Sequence, residues 1–128
     1  MTEPHRWRLL GQASDGYSGA EARSLLVRRL DWGTQETLFE DGRGRLLSVV
    51  TNGERARVAL VDGAGGPGEH LVDPQGEGAS GGYLSSSGRI DTYSDGETVP
   101  FPLACRAVEY FIEHDAWPRD VMVAWASE

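Results

Sequence analysis

Residues 37–62 read TLFEDGRGRLLSVVTNGERARVALVD. The pairs Asp41-Gly42 and Asn52-Gly53 divide this stretch into three runs that are rich in apolar residues. The runs are Thr37 to Glu40, Arg45 to Thr51 and Arg55 to Asp62. Because Asp-Gly and Asn-Gly tolerate the positive φ angles of tight hairpins, these runs are predicted to form an antiparallel meander.

A first helix is predicted on the N-terminal side of the meander. Ser18 can accept a hydrogen bond from a free helical amide, and Glu21 can reach back to the amide of Ser18, which is the pattern of a capping box. Apolar residues follow at helical spacing, and Gly33 is a plausible end of the helix. These apolar residues are Ala22, Leu25, Leu26 and Leu30.

The C-terminal part of the chain predicts a second hairpin, a second helix and a last strand. The hairpin runs from Gly82 to Ser86 and from Arg89 to Tyr93. Pro102 fits the first turn of a helix, where a missing amide proton costs nothing, and an apolar stripe follows it. The run Val121 to Trp125 has the apolar density of a strand that is covered on both faces.

Together these elements predict an α+β fold. We expect a single antiparallel sheet of about five or six strands with two main helices packed on it. A chain of 128 residues has the size of one domain, so residues 1–128 are predicted to form one compact unit.

Charge and cysteine content favour a particular kind of partner and compartment. The formal net charge is −8, which disfavours direct binding of nucleic acid and would steer association with a basic protein. The single Cys105 cannot form a disulfide within the chain, which suits a reducing compartment. Since no stretch resembles a signal peptide or a membrane span, we expect a cytoplasmic protein without a membrane partner.

Three motifs that suggest enzymes lack the context that their chemistry needs. The string Gly63–Gly68 matches G-x-G-x-x-G, but Pro67 and a short run replace the helix that would bind a phosphate. Gly16–Ala20 resembles a nucleophile elbow without its last glycine. Cys105 and His114 fall on opposite sides of one predicted helix. We therefore predict no enzyme, no catalytic residue and no cofactor.

A metal or small ligand is the weaker alternative. His70, Asp73 and Glu77 could form a site on paper, but a glycine-rich loop would lose much conformational entropy on being ordered. We therefore predict no bound metal, and a small metal- or ligand-binding domain stays an open alternative.

Acidic residues are concentrated between positions 62 and 97, where seven carboxylates accompany the single Arg89. Tyrosines lie among them, and carboxylates with tyrosines suit a surface that pairs with a cationic cleft. We predict that a partner protein contacts Glu69, Asp73, Glu77, Tyr83, Asp91, Tyr93, Asp95 and Glu97.

The last forty-five residues carry a resemblance to a known family. Gly82-Tyr83-Leu84, the stretch from Tyr93 to Glu97, the proline-led helix after Pro100, and Val123-Ala124-Trp125 follow one another in that order. This succession resembles the bacterial immunity proteins of polymorphic toxin systems, a family first associated with deaminase toxins. The resemblance implies an α+β inhibitor that is encoded beside the toxin it silences, often a cytidine deaminase that acts on DNA or a nuclease.

The resulting hypothesis is an antitoxin that binds one toxin domain and occludes its substrate groove. A secretion chaperone or adaptor that binds an exported protein without neutralising it is the main alternative. The sequence leaves the oligomeric state open.

Overall fold

A computed structural model describes residues 6–12, 16–62 and 68–125. Apart from Gly68, the predicted G-x-G-x-x-G string lies outside the described residues. No helix in the described part is long and apolar enough to cross a membrane. The elements are β1 (Arg8–Leu9), α1 (Gly19–Asp31), β2 (Glu36–Glu40), β3 (Arg45–Thr51), β4 (Arg55–Asp62), β5 (Glu69–Val72), β6 (Ala79–Leu84), β7 (Ile90–Ser94), β8 (Val99–Pro100), α2 (Phe101–His114) and β9 (Met122–Trp125).

The main sheet contains seven of these strands in antiparallel pairs. Six of them follow the order β1-β2-β3-β4-β5-β9, and the short β8 pairs with β4 next to the end of β5. Strands β2, β3 and β4 form the meander that the turn pairs predict. The predicted α+β class, with two helices and an antiparallel sheet, is confirmed.

The register of the meander gives the sheet two different faces. Val49 lies opposite Val58, and both are buried in the main core. The next pair along the ladder, Val50 and Arg57, points to the other face, because side chains alternate along a strand. The first face packs on the helices, as the shared core shows. The second face carries polar as well as apolar groups.

Helices α1 and α2 pack against each other and, with the sheet, enclose the main core. Helix α1 begins at the predicted capping box, in which Ser18 Oγ accepts from Glu21 N and Glu21 Oε1 accepts from Ser18 N. Cys105 lies in this core, as its small apolar character predicts. The core side chains include Trp7, Phe39, Leu47, Val58, Leu71, Ala107, Val108 and Phe111.

Strands β6 and β7 pair only with each other among the described strands and form a separate two-stranded sheet. This hairpin lies on the second face of the main sheet, where Asn52 Nδ2 and Gln35 Nε2 donate to the carbonyl oxygens of Gly81 and Gly82. Val50 and Tyr83 are buried although neither belongs to the main core. The structure therefore has three layers, where the sequence predicted one sheet covered by helices.

Strand β9 corrects a prediction. Val121 to Trp125 was expected to be covered on both faces, but β9 is the last strand of the sheet and pairs only with β5 among the described strands. Met122 and Trp125 are 54% and 71% exposed. A run of apolar residues in the sequence does not distinguish a strand that is buried within a sheet from an apolar strand at its edge.

A close contact between the two helices at Gly19 generates a testable prediction. A Cβ atom on the buried Gly19 would collide with the carbonyl oxygen of Glu109 and lie 2.6 Å from Glu113 Cγ. Gly19→Ala is therefore expected to lower the free energy of unfolding by about 1–3 kcal/mol, as overpacking does. Urea titration followed by circular dichroism measures this change.

Gly42→Ala is the matched control, because a Cβ there meets no atom of residues 6–12, 16–62 and 68–125 within 4 Å. Its effect is expected to stay within about 0.5 kcal/mol. Equal stabilities of the two variants would contradict the close helix contact.

Candidate functional site

The candidate site is the surface formed by the β6–β7 hairpin, the loop 73–78 and the turn 95–97. Arg55, from β4, lies at its centre. Arg55 Nη2 donates to Asp73 Oδ2 at 2.8 Å, to the Asp95 carbonyl oxygen at 2.9 Å and to the Thr98 carbonyl oxygen at 2.9 Å. Arg55 Nε donates to Thr98 Oγ1 at 2.8 Å and lies 3.8 Å from Asp95 Oδ1. One guanidinium thus joins three separate segments of the chain.

Backbone contacts lock the loop 73–78 to the turn 95–97. Asp73 N donates to the Gly96 carbonyl oxygen at 2.9 Å, and Asp95 N donates to the Gly78 carbonyl oxygen at 3.0 Å. A Cβ atom on Gly76 would collide with the Asp95 carbonyl oxygen. Only glycine therefore permits this approach of the two segments. The segments that carry Glu77 and Glu97 are held as one body.

Asp73 and Asp95, the two acids that contact Arg55, stabilise the folded structure. The Arg55 hydrogen bond is the main cause that holds the pKa of Asp73 below its ordinary value, and the Gln75 amide lowers it further. Asp95 Oδ1 also accepts a hydrogen bond of 2.6 Å from Ser80 Oγ. Both carboxylates are about one-fifth exposed. They shape the surface more than they offer charge to a partner.

A polar layer lies between the hairpin and the main sheet. Arg57 stacks on the Tyr93 ring, with Cζ 5.3 Å from the ring centroid, and Tyr93 meets Tyr83 edge-on at 5.0 Å. Tyr83 has no exposed surface, and no described residue forms a hydrogen bond with its hydroxyl. His70 Nδ1 and Arg57 Nη1 are likewise buried without a hydrogen bond to any residue in the described part of the chain. Because buried polar groups without a hydrogen bond are costly, the stability of this layer depends on the charge of its side chains.

His70 is a titratable group of this layer whose pKa is shifted. Burial lowers the pKa of His70 below its ordinary value, and the positive Arg57 lowers it further, while Glu97 acts in the opposite direction. The neutral imidazole is therefore the form that suits the folded protein.

The predicted contact residues separate into groups with different surroundings. Glu77 and Glu97 are exposed, and Asp91 and Tyr93 are partly exposed. Asp73 and Asp95 are bound to Arg55. Tyr83 is fully buried and offers no surface to a partner, so we remove it from the contact set. Its burial follows from the hairpin lying against the main sheet.

Glu69 does not belong to the same surface. Glu69 Oε1 accepts a hydrogen bond of 3.0 Å from Trp117 Nε1, and Trp117 stacks on Phe111 of α2. Glu69 therefore faces the helical side of the sheet, opposite the hairpin. Alternation along β5 is the cause, because His70 faces the hairpin and its neighbour must point the other way.

Two arginines on β4 lie beside the candidate site. The prediction from the sequence considered only the segment 62–97 and did not include them. Arg55 and Arg57 lie outside the segment 62–97 in sequence and beside its acids in space. The alternation of Arg55, Ala56, Arg57 and Val58 signals that both arginines share the face away from the core. With Arg89, which pairs with Asp91, three arginines lie among these acids.

The arrangement offers few groups for chemistry. Within residues 6–12, 16–62 and 68–125, no group of three potential metal ligands is close enough to hold an ion. Of the residues in the alternative metal site, His70 is buried in the polar layer and Asp73 forms a salt bridge with Arg55. Burial raises the pKa of Cys105 to about 11, so its thiol is protonated at neutral pH and a poor nucleophile.

The contacts of Arg55 predict a large loss of stability on substitution. Arg55→Met removes the hydrogen bonds that the guanidinium donates to Asp73 and to the Asp95 and Thr98 carbonyl oxygens, and we expect the free energy of unfolding to fall by about 2–3 kcal/mol. Arg89→Met is the control, because the Arg89 side chain is mostly exposed and such pairs contribute less than about 1 kcal/mol. Urea titration of both variants makes the comparison. Equal losses would contradict the central role of Arg55.

The His70 pKa predicts how stability depends on pH. The unfolded chain takes up a proton near pH 6.5, roughly the ordinary value for histidine, while the folded protein resists it. The free energy of unfolding is therefore expected to fall as the pH is lowered from about 7.5 to about 5.5. His70→Gln should weaken this dependence, whereas His114→Gln on the exposed end of α2 serves as the control. The same slope in wild type and His70→Gln would refute the prediction.

Comparison with known proteins identified no relative of this chain. No protein-family model, no curated protein and no solved structure matches the chain. The resemblance to immunity proteins therefore stays a prediction from the sequence.

Proposed function

We propose that this protein is a cytoplasmic immunity protein that binds a cognate toxin domain and blocks its activity without catalysing a reaction. The toxin is proposed to act on nucleic acid, as a cytidine deaminase or a nuclease does. The inhibitor would occupy the groove through which the nucleic acid enters. The observation that carries the proposal is the pair of exposed carboxylates, Glu77 and Glu97, on segments held rigid by Arg55.

Charge supports this kind of partner. An enzyme that binds nucleic acid presents a positive groove to the phosphates. A protein of net charge −8 with exposed carboxylates is attracted to that groove and competes with the phosphates for it. Long-range attraction of this kind raises the rate of association more than it raises affinity.

Rigidity supports it as well. A flexible acidic loop would lose conformational entropy when it binds, and that loss would weaken the complex. Here the Arg55 contacts and the backbone hydrogen bonds to Gly96 and Gly78 already order both acidic segments. The free protein is therefore preorganised for binding at this surface.

The proposed contact set is smaller than the one read from the sequence. Glu77, Glu97, Asp91 and Tyr93 are accessible and would meet the partner directly. Asp73 and Asp95 would act through Arg55 by holding the segments in place, and Tyr83 would support the hairpin from below. Glu69, which faces the other side of the sheet, is left out.

Coexpression with the adjacent open reading frame tests the function. If that frame encodes an exported protein with a toxic C-terminal domain, this protein is expected to restore growth when both are produced. Glu77→Lys and Glu97→Lys should each slow association with the purified toxin domain, together by about tenfold or more, and reduce its salt dependence. Surface plasmon resonance at two salt concentrations measures both effects.

Asp31→Lys is the control, because it changes the net charge equally at an exposed site on α1, remote in sequence from the acidic segments. Binding without growth rescue would replace inhibition by the adaptor function. Equal association rates for Glu97→Lys and Asp31→Lys would move the interface away from the hairpin surface.

A further inference from the structure

Strand β9 is an unusual sheet edge. It contains Met122, Val123, Ala124 and Trp125 and no charged residue. Met122 is 54% exposed, Val123 36% and Trp125 71%, on alternating faces of the strand. Only β5 pairs with it, and no other strand within residues 6–12, 16–62 and 68–125 pairs with the backbone groups of its other edge. Proteins usually protect such edges with charges or proline, and β9 carries neither.

A groove adjoins this edge. Strands β5 and β8 pair with different parts of β4, and the groove lies where they separate, beside the first turn of α2. Its volume is about 400 Å³, and Met122 belongs both to the groove and to β9. The lining is mostly apolar and includes Val72, Pro74, Val99, Leu103, Val121 and Met122.

The groove is also continuous with the candidate site, because both include part of the loop 73–78. Asp73, Pro74 and Gln75 form one wall, and the same loop leads to Glu77. Because Arg55 fixes Asp73, it fixes this wall as well. The loop 73–78 therefore contributes both to the groove and to the candidate site.

The size and charge of the edge indicate which partner it fits. Two copies joined through four-residue strands would bury far less than the roughly 800 Å² per partner of a typical stable interface. Each copy also carries a net charge of −8, so two copies repel each other. A larger, cationic partner that covers the edge, the groove and the acidic loop avoids both problems.

We propose that an extended strand of the cationic toxin domain pairs with the open edge of β9 and inserts an apolar side chain into the groove. Backbone hydrogen bonds would then supply affinity, and the groove would select the inserted side chain. This inference rests on the proposed function and adds to it the part of the partner that is recognised. The acids would attract the partner, and the edge would hold it.

Paired substitutions of exposed apolar residues test the proposal on the full chain, with the purified toxin domain encoded by the adjacent gene as the probe. Trp125→Lys is compared with Trp32→Lys, because both tryptophans are 71% exposed and the charge change is the same. Met122→Lys is compared with Val27→Lys, because Val27 is 45% exposed on α1 and lies outside the candidate site. The β9 double variant is expected to raise the Kd at least tenfold, and the control double variant to change it less than twofold. Hydrogen exchange should show new protection of amides in 122–125 in the complex.

Each outcome decides between the hypotheses. If the wild-type protein does not bind the toxin domain, both the proposed function and the proposed strand pairing are refuted. If wild type binds and restores growth, but the β9 variants bind equally and 122–125 gain no protection, only the strand pairing falls. Sedimentation of the free protein as a dimer that Trp125→Lys dissociates would assign the edge to a second copy and overturn the proposal. Unchanged circular dichroism of the variants shows that a lost interaction is not a loss of folding.

Discussion

The guanidinium of Arg55 is the interaction on which the rest of the candidate site depends. It binds the acid that follows β5, the carbonyl oxygen of the residue that follows β7 and the residue that precedes β8. These segments carry several carboxylates and would repel one another without a shared cation. By joining them, Arg55 defines the position of the hairpin, the acidic loop and one wall of the groove.

This arrangement separates structural charge from charge that a partner can meet. Asp73 and Asp95 contact Arg55 and hold the fold together, whereas Glu77 and Glu97 are exposed. A site of this kind would attract a positive partner through its exposed acids and retain it through neighbouring apolar surface. Rate and affinity would then depend on different residues, as they do at many protein interfaces.

Much of the fold could be predicted because local signals set it. Turn pairs marked the meander, Ser18 and Glu21 marked the start of α1, and Pro102 marked the start of α2. The contact set was less predictable, since its residues depend on which layer covers them. Tyr83 was expected at the surface and is buried, and β9 was expected to be buried and is exposed. Nothing within either segment indicates what packs against it.

The sequence by itself determined the two helices, the antiparallel meander, the acidic balance and the isolation of Cys105, because each follows from composition or from residues close together in the chain. Only the tertiary structure decided that the hairpin forms a third layer, that Glu69 faces the helices and that Arg55 and Arg57 lie among the acids. The physical reason is that the charges and contacts of this site join residues from distant segments, and their pairing depends on strand register, which no single segment contains.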